Sequence, residues 1–472
     1  MKTKKRLFLF LCGIACMALV LAGCQKVGGV DLNRYLLGSL ETESLEGKGS
    51  VILDITDAKS GESRHIELNY SSFKMQDKER MSLAGDLVFD HIKLPIKLQM
   101  DGQTYLLELG GLSKPIRLQL SELTGTEELG FDPTELELFQ QLQDKLMPFV
   151  VKHLPNPKTI DVEQVTENVN GETLQLTKVH AEIKASEFLE LFFAFFDSAL
   201  ADEEGMKEAI RTVLEMVAES DPSSVEPDMS GVYYEFLKAM SDDLKKEIED
   251  SLTAEDKDVL NNPQNYLKTD LYLDNALNLR KAEAELSVTD KDFSLKIASS
   301  AEQWNIGGNV TVDPIDTSNG VIEISGPSWN VEFLRAVDRN SVLFRLLKDE
   351  LKLAKKDVRL SLKDDDVYRA FIDEKTEKGM VPVRFVSERL DGDVKWIAET
   401  QKVVVTDAWT GRTIEMTIGS DMALVDGRSV NMGAPAMLVG DTTYVPVRSI
   451  AEQFGAQVDW NAETETVLIT RE

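Results

Sequence analysis

From residue 51 to about 120, apolar and polar positions alternate. Val51, Leu53 and Ile55; Ile66, Leu68 and Tyr70; Ile96, Leu98 and Met100; Tyr105, Leu107 and Leu109; and Ile116, Leu118 and Leu120 recur two apart, the spacing of strands with one face buried and one wet. Asp101-Gly102 between two of these runs predicts a hairpin turn. The period then lengthens. Leu136, Leu138, Phe139, Leu142 and Leu146 predict a helix closed by Pro148, and Phe188, Leu191, Phe192 and Phe195 a stronger one. Ile210, Val213, Leu214 and Val217 continue the helical period after Gly205 until Pro222. A further helix from Tyr233 to about Leu252 places Phe236, Leu237, Met240, Leu244 and Ile248 on its apolar side. Strands return with Leu271 and Leu273, Leu277 and Leu279, Leu286 and Val288, Phe293, Leu295 and Ile297, Trp304 and Ile306, Val310 and Val312, and Val321, Ile322 and Ile324. This order, sheet then helices then sheet, predicts an α+β body over residues 51–330, with one antiparallel sheet or two covering helices. Residues 331–356, with Phe333, Leu334, Leu343, Leu346, Leu347 and Leu351 apolar, predict a helical connector.

The rest of the chain is organised by a repeat. Residues 381–407 and 445–471 align without a gap at an offset of 64: Val381-Pro382-Val383-Arg384 returns as Val445-Pro446-Val447-Arg448, Trp396 as Trp460, and Glu399-Thr400 as Glu463-Thr464. A repeat that keeps its hydrophobic pattern is the signature of a module packed against a copy of itself. Each copy reads as a strand ending in Val-Pro-Val-Arg, a short helix, an exit turn at Asp391-Gly392 or Gly455-Ala456, and two strands joined at Ala-Glu-Thr.

The chain's opening changes the picture of where the protein works. Lys2, Lys4, Lys5 and Arg6 precede an apolar run from Leu7 to Leu21 and then Leu21-Ala22-Gly23-Cys24, an export signal too short to span hydrocarbon comfortably. It resembles the signal peptide and lipobox of bacterial lipoproteins. That resemblance implies removal of residues 1–23, diacylation of Cys24, and anchorage at the extracellular face of the cytoplasmic membrane. Cys12 and Cys16 lie inside the signal, so the mature chain would hold no internal disulfide. Residues 24–50, glycine-rich with few large apolar positions, read as the lipidated cysteine and a tether.

The repeats resemble the copper amine oxidase N-terminal-like, or stalk, domain of secreted proteins from Firmicutes such as Paenibacillus. The likeness rests on Val381-Pro382-Val383-Arg384-Phe385-Val386 with Trp396, and on Thr443-Tyr444-Val445-Pro446-Val447-Arg448-Ser449-Ile450-Ala451-Glu452 with Phe454-Gly455 and Val458-Asp459-Trp460. It covers residues 357–472. The first copy departs from the pattern at Gly379-Met380 and Asp391-Gly392. Residues 40–325 are similar, in element order alone, to LolA-like lipoprotein carriers.

Composition limits the chemistry. A formal net charge of −30 argues against nucleic acid as a partner and against broad adhesion to anionic lipid or wall polymer, but not against neutral glycan. The four histidines, His65, His91, His153 and His180, are far apart and none falls in the repeats, so no metal or cofactor site is expected. No nucleophile-elbow, phosphate-loop or zinc motif is present. The Asp364-Asp365-Asp366 run, with Asp373 and Glu374, reads as a solvated face because calcium-loop spacing is lacking. Arg384 and Arg448 have two readings, a ligand site repeated twice or structural forks satisfying a carboxylate or carbonyls, and the structural one leads. Trp396 and Trp460 stack on sugars if exposed, yet their place in a hydrophobic alternation assigns them to the core. Phe188, Phe192, Phe195 and Phe196, with Phe193, exceed the needs of one helix face and pose a choice between ordinary packing and an apolar pocket.

Three functions follow. The first is a non-catalytic surface lipoprotein, a scaffold or binding module for peptidoglycan or another surface protein. The second is a carrier of an apolar ligand or lipid in the middle region. The third is a wall-active hydrolase. An internal apolar cavity favours the second, and converging carboxylates in a cleft the third. The sequence does not fix the oligomeric state.

Overall fold

The computed structural model describes residues 26–119, 145–220, 228–324, 329–362, 370–461 and 463–472. The export segment, Cys24 and the Asp364–Asp366 run lie outside the described residues, as does the part of the helix expected over 136–146 that precedes residue 145; residues 145–153 are helical, so the helix is not closed at Pro148 but runs through it. The chain is mixed α and β, with mostly antiparallel sheets, and divides into two units: Met1–Leu107 with Gln119–Ile315, and Glu108–Leu118 with Asp316–Glu472.

Strands β1 (Leu45–Asp57), β2 (Ser63–Met75), β3 (Arg80–Phe89), β4 (Ile92–Asp101) and β5 (Thr104–Leu109) form a meander. β6 (Ile116–Gln119) follows, and then β7 (Thr159–Val169), β8 (Glu172–Lys184), β9 (Tyr266–Leu273), β10 (Leu279–Thr289) and β11 (Phe293–Trp304). In the first unit the order is β5-β4-β3-β2-β1-β11-β10-β9-β8-β7. β1 pairs with β11 along its length, Leu53 opposite Ile297 and Ile55 opposite Leu295, so the two strand clusters seen in the sequence are one antiparallel sheet. Register keeps one face apolar across it: Leu267, Leu286, Ile297, Leu53, Ile66 and Phe89 lie in one cross-strand row. The opposite face is charged, with Asp54 bonded to His65 at 2.7 Å and Lys296 to Glu285 at 3.0 Å.

Helices Phe188–Ala201, Glu203–Ser220, Ser230–Ser251 and Ala254–Asn261 belong to this unit. In the longest, the buried anchor is Tyr234, whose hydroxyl donates to the Leu200 carbonyl at 3.1 Å. Phe236, expected on the apolar side, is 57% exposed.

Three expectations need correcting, and one hairpin is added. The stretch expected as a tether over 24–50 contains a packed helix: Asp31 caps Leu32–Leu40 by accepting from the Arg34 amide at 3.0 Å. That helix buries Leu32, Tyr35 and Leu36 against Val151, Leu154, Val179 and Leu273, and the surrounding apolar side chains push the Tyr35 hydroxyl up to about 12. The β7–β8 hairpin, not anticipated, turns at Asn170 and Gly171, with φ of 49° and 87°. The strand expected at Val310 and Val312 is not formed, and residues 305–315 instead strap the polar face of the sheet. The Asp313 amide donates to Ser82 Oγ at 3.0 Å and the Ile315 amide to Gln99 Oε1 at 2.7 Å, so alternation here reflects a strap with two buried residues, Val310 and Ile315. Finally, the connector is not one helix. In the second unit it breaks into Trp329–Ala336, Val342–Arg345 and a wide turn over Leu346–Glu350. It docks on the repeats through Arg335 to Asp393 at 2.7 Å and Arg339 Nε to the Trp409 carbonyl at 3.1 Å.

Also in the second unit, β12 (Ile322–Glu323) pairs in parallel with β6. Then come β13 (Lys356–Ser361), β14 (Phe371–Asp373), β15 (Lys378–Pro382), β16 (Gly392–Ile397), β17 (Lys402–Asp407), β18 (Thr413–Thr417), β19 (Met422–Val425), β20 (Arg428–Asn431), β21 (Met437–Val439), β22 (Thr442–Pro446), β23 (Ala456–Asn461) and β24 (Thr466–Arg471). Every element of one copy recurs 64 residues on: β15 as β22, helix Val383–Arg389 as Val447–Gln453, β16 as β23, and β17 as β24. β15 and β22 pair antiparallel with Val381 opposite its own equivalent, Val445, which places a local two-fold axis between them. Both prolines end their strands and begin the helices, where a missing N–H costs nothing.

The copies are completed differently. β17 continues into β18, β19 and β20, whereas β24 takes β13 on the same edge, Val358 opposite Ile469. One apolar cluster, including Val381, Val386, Val405, Val445, Ile450, Phe454 and Ile469, serves both. Inside it Arg471 and Asp407, which hold equivalent positions, meet in a bidentate pair at 2.9 and 3.1 Å, and Arg471 also donates to the Leu390 carbonyl at 3.0 Å.

Candidate functional site

Where the apolar face of the first unit's sheet meets the phenylalanine-rich helix, the side chains leave a groove. Phe188, Phe192 and Phe195 form one wall, because residues three and four apart share a helix face. Ile183, Leu267, Leu286 and Val288 form the floor, and Val259 and Leu260 close one end. The space reaches about 740 Å³ only when its open mouth is counted, and the enclosed part is about 50 Å³, so the groove is a shallow apolar slot that takes the edge of a hydrocarbon and not a closed cavity for a whole ligand. Polar residues in the lining spend much of their hydrogen-bonding capacity on the protein itself. Asn265 donates to the carbonyls of Val259 at 2.8 Å and Thr289 at 3.0 Å and accepts from the Thr289 amide at 2.7 Å; the Tyr266 hydroxyl bonds Glu285. The wall is therefore chiefly carbon. Phe196 is not among the lining residues.

The groove does not end at its floor. Leu286 pairs with Ile297, Ile297 with Leu53, and Leu53 with Ile66, so the apolar row runs on from the groove across the sheet. Val51, Ile55 and Leu98 on that same face are among the exposed large apolar side chains.

In the repeats, the structure separates residues that the sequence treats as equivalent. Trp396 and Trp460 lie opposite the buried Val403 and Val467, so both are on the core-facing side. They are nonetheless 42% and 48% exposed, against the expectation of core residues. Each sits toward the end of its strand, where the inward face runs past the cluster. Arg384 pairs with Glu388 on its own helix at 2.9 Å and is no strut to the distant turn. Among the described residues Arg448 has no ion pair or hydrogen bond.

One constellation escaped the sequence reading. His153, buried, places Nδ1 2.9 Å from Ser198 Oγ and Nε2 3.1 Å from Asp202 Oδ2. Ser198 and Asp202 are one turn apart, which spacing shows, but His153 lies 45 residues from Ser198. Asp202 ends helix Phe188–Ala201 and accepts from the Gly205 amide at the start of the next at 3.3 Å. The Lys152 ammonium above all, with the Gly205 amide and His153, holds its carboxyl down at about 2. This arrangement clamps a helix junction. His65 is likewise paired, and the Asp54 carboxylate raises its pKa above the ordinary 6.5. Among the described residues no group of three or more His, Cys, Asp or Glu side chains is arranged to hold a metal ion.

The class defined by the second unit is a duplicated α+β module whose shared core is chiefly apolar and encloses the Asp407–Arg471 ion pair. Residues 368–469 match the family model of the copper amine oxidase N-terminal domain, a non-catalytic, stalk-like module compatible with a scaffold or binding role. No curated protein sequence matches the chain. Among solved structures, a chain from the Pseudomonas aeruginosa MucA/MucB complex aligns over 93% of this chain and 93% of its own at 8% identity, with a TM-score of 0.16; that likeness carries no argument.

Proposed function

We propose that the protein is a non-enzymatic binding protein whose first unit shelters the apolar part of a ligand, while its terminal repeats serve as a stalk-like module. The observation that carries this is the groove beneath Phe188, Phe192 and Phe195, continuous with the apolar row of the sheet. A carbon-lined slot gains from burying a ligand's hydrocarbon and offers little to a polar one. The proposed setting is the extracellular face of the cytoplasmic membrane, with Cys24 acylated, where amphiphiles are at hand.

Native mass spectrometry of the protein without its acyl anchor, purified from its own host and followed by solvent extraction, tests the reading. A stoichiometric apolar molecule is expected, lost when Phe192 and Phe195 are both replaced by Asp. A protein that arrives empty and takes up no fatty acid or phospholipid in micelle-free titration would leave the scaffold reading in front. Pull-downs on purified peptidoglycan would then be the next measurement.

A further inference from the structure

A second recess lies in the terminal module, about 680 Å³ counting its mouth, and its walls differ in kind from those of the groove. Trp460 stands on one side. Arg448 projects from helix Val447–Gln453, and Glu377 comes from the β14–β15 turn. The floor is aliphatic, with Met380, Val381 and Val467 all buried. The turn is fixed: Asp373 accepts from the Thr376 amide at 3.1 Å and Thr376 Oγ1 at 2.5 Å, and Glu377 adopts a φ of 56°.

Comparison between the copies shows what is particular to this recess. Arg384 is neutralised by Glu388, while its equivalent Arg448 is left unpaired among the described residues. An exposed indole at a strand end, a guanidinium with no partner among the described residues and the Glu377 carboxylate around an apolar floor suit a molecule with one hydrocarbon face and a rim of hydroxyls. A pyranose ring is such a molecule. Its axial C–H groups lie flat on an indole, carboxylates accept from its hydroxyls, and a guanidinium fork donates to ring, hydroxyl or acetamido oxygens. A chain of net charge −30 favours an uncharged sugar over an anionic one.

The geometry points to a binding site for neutral glycan in the second copy of the repeat, with Trp460 as the stacking platform and Arg448 and Glu377 as its polar partners. This site is independent of the apolar groove. Isothermal titration of the full chain with triacetylchitotriose and with cellotriose tests it, the two arms separating an acetamido glycan from a plain glucan.

Saturable binding of at least one trisaccharide at millimolar concentration is expected. Trp460→Ala should weaken it at least about tenfold and Arg448→Gln several-fold, while Trp396→Ala, the equivalent change in the first copy, leaves it unaltered. Thermal melting of each variant verifies folding, and both substitutions are at exposed positions. Absence of binding to either sugar, or binding indifferent to Trp460→Ala and Arg448→Gln, overturns the assignment.

Discussion

At the scale of single residues, the two copies of the repeat explain each other's departures. Asp391 has a φ of 60° where its equivalent, Gly455, has 69°, so a left-handed exit turn is kept in both. Aspartate bears that conformation better than most side chains, and here its carboxylate accepts from Trp409 Nε1 at 2.9 Å. Next to it, a Cβ on Gly392 would lie 2.6 Å from the Phe454 ring and 2.8 Å from the Ser387 carbonyl. The equivalent pair is smaller then larger, Leu390 with Ala456, so volume is exchanged across the module rather than lost. Gly392→Ala is expected to destabilise the module by about 1–3 kcal/mol through overpacking, and Phe454→Leu in that background to recover part of it. Chemical denaturation of the four members of the cycle measures this; a double variant no better than the sum of the singles would refute the compensation. The sequence marks Asp391-Gly392 as irregular, but the ring that demands the glycine is 62 residues away. Trp396 and Trp460 show the complementary limit: alternation gives the face of a strand, while depth depends on how far the neighbouring core extends.

At the scale of elements, what was legible had a local cause. The helix at Phe188–Ala201 and strands β1, β2, β4 and β5 follow from periodicity, whereas β3 and the β7–β8 hairpin were not anticipated, although the Asn170-Gly171 pair is a local signal for the latter. The helix Leu32–Leu40 is a different case: short, glycine-containing and held by what it packs against. The Ser198–His153–Asp202 clamp belongs here too, since it joins consecutive helices. Asp202 is depressed to about 2, so its contribution is complete above the ordinary 3.8 and is lost as pH falls through about 2. Asp202→Asn keeps an oxygen that can accept from the Gly205 amide but removes the charge that pairs with Lys152 and His153, and an effect of about 1 kcal/mol is expected near neutral pH. Denaturation midpoints of parent and variant should converge as pH is lowered from about 4 towards 2; a gap that stays constant over that range would show that the carboxylate's charge is not what holds the junction.

At the scale of the whole molecule, 82 acidic against 52 basic residues make the folded chain repel itself. Raising ionic strength from about 20 to 300 mM shortens the reach of that repulsion to under ~10 Å, and the melting temperature should rise with salt. A fall would mean that the surface ion pairs, such as Lys281–Glu167 at 3.2 Å, outweigh the repulsion. The first unit's groove was half legible: the sequence picked out Phe188, Phe192 and Phe195, but its floor comes from three strands that only the fold assembles. The repeat was legible as a duplication, and its axis was not. That axis carries a consequence through the Asp407–Arg471 pair. A position that touches its own equivalent lies on the axis, and between two identical separate chains it would touch itself. Two unlinked first copies would confront aspartate with aspartate inside an apolar interior, and two second copies arginine with arginine, each a buried like-charge contact. Tandem fusion lifted that prohibition, and the opposite charges now make each half complementary to the other and unfit to associate with itself.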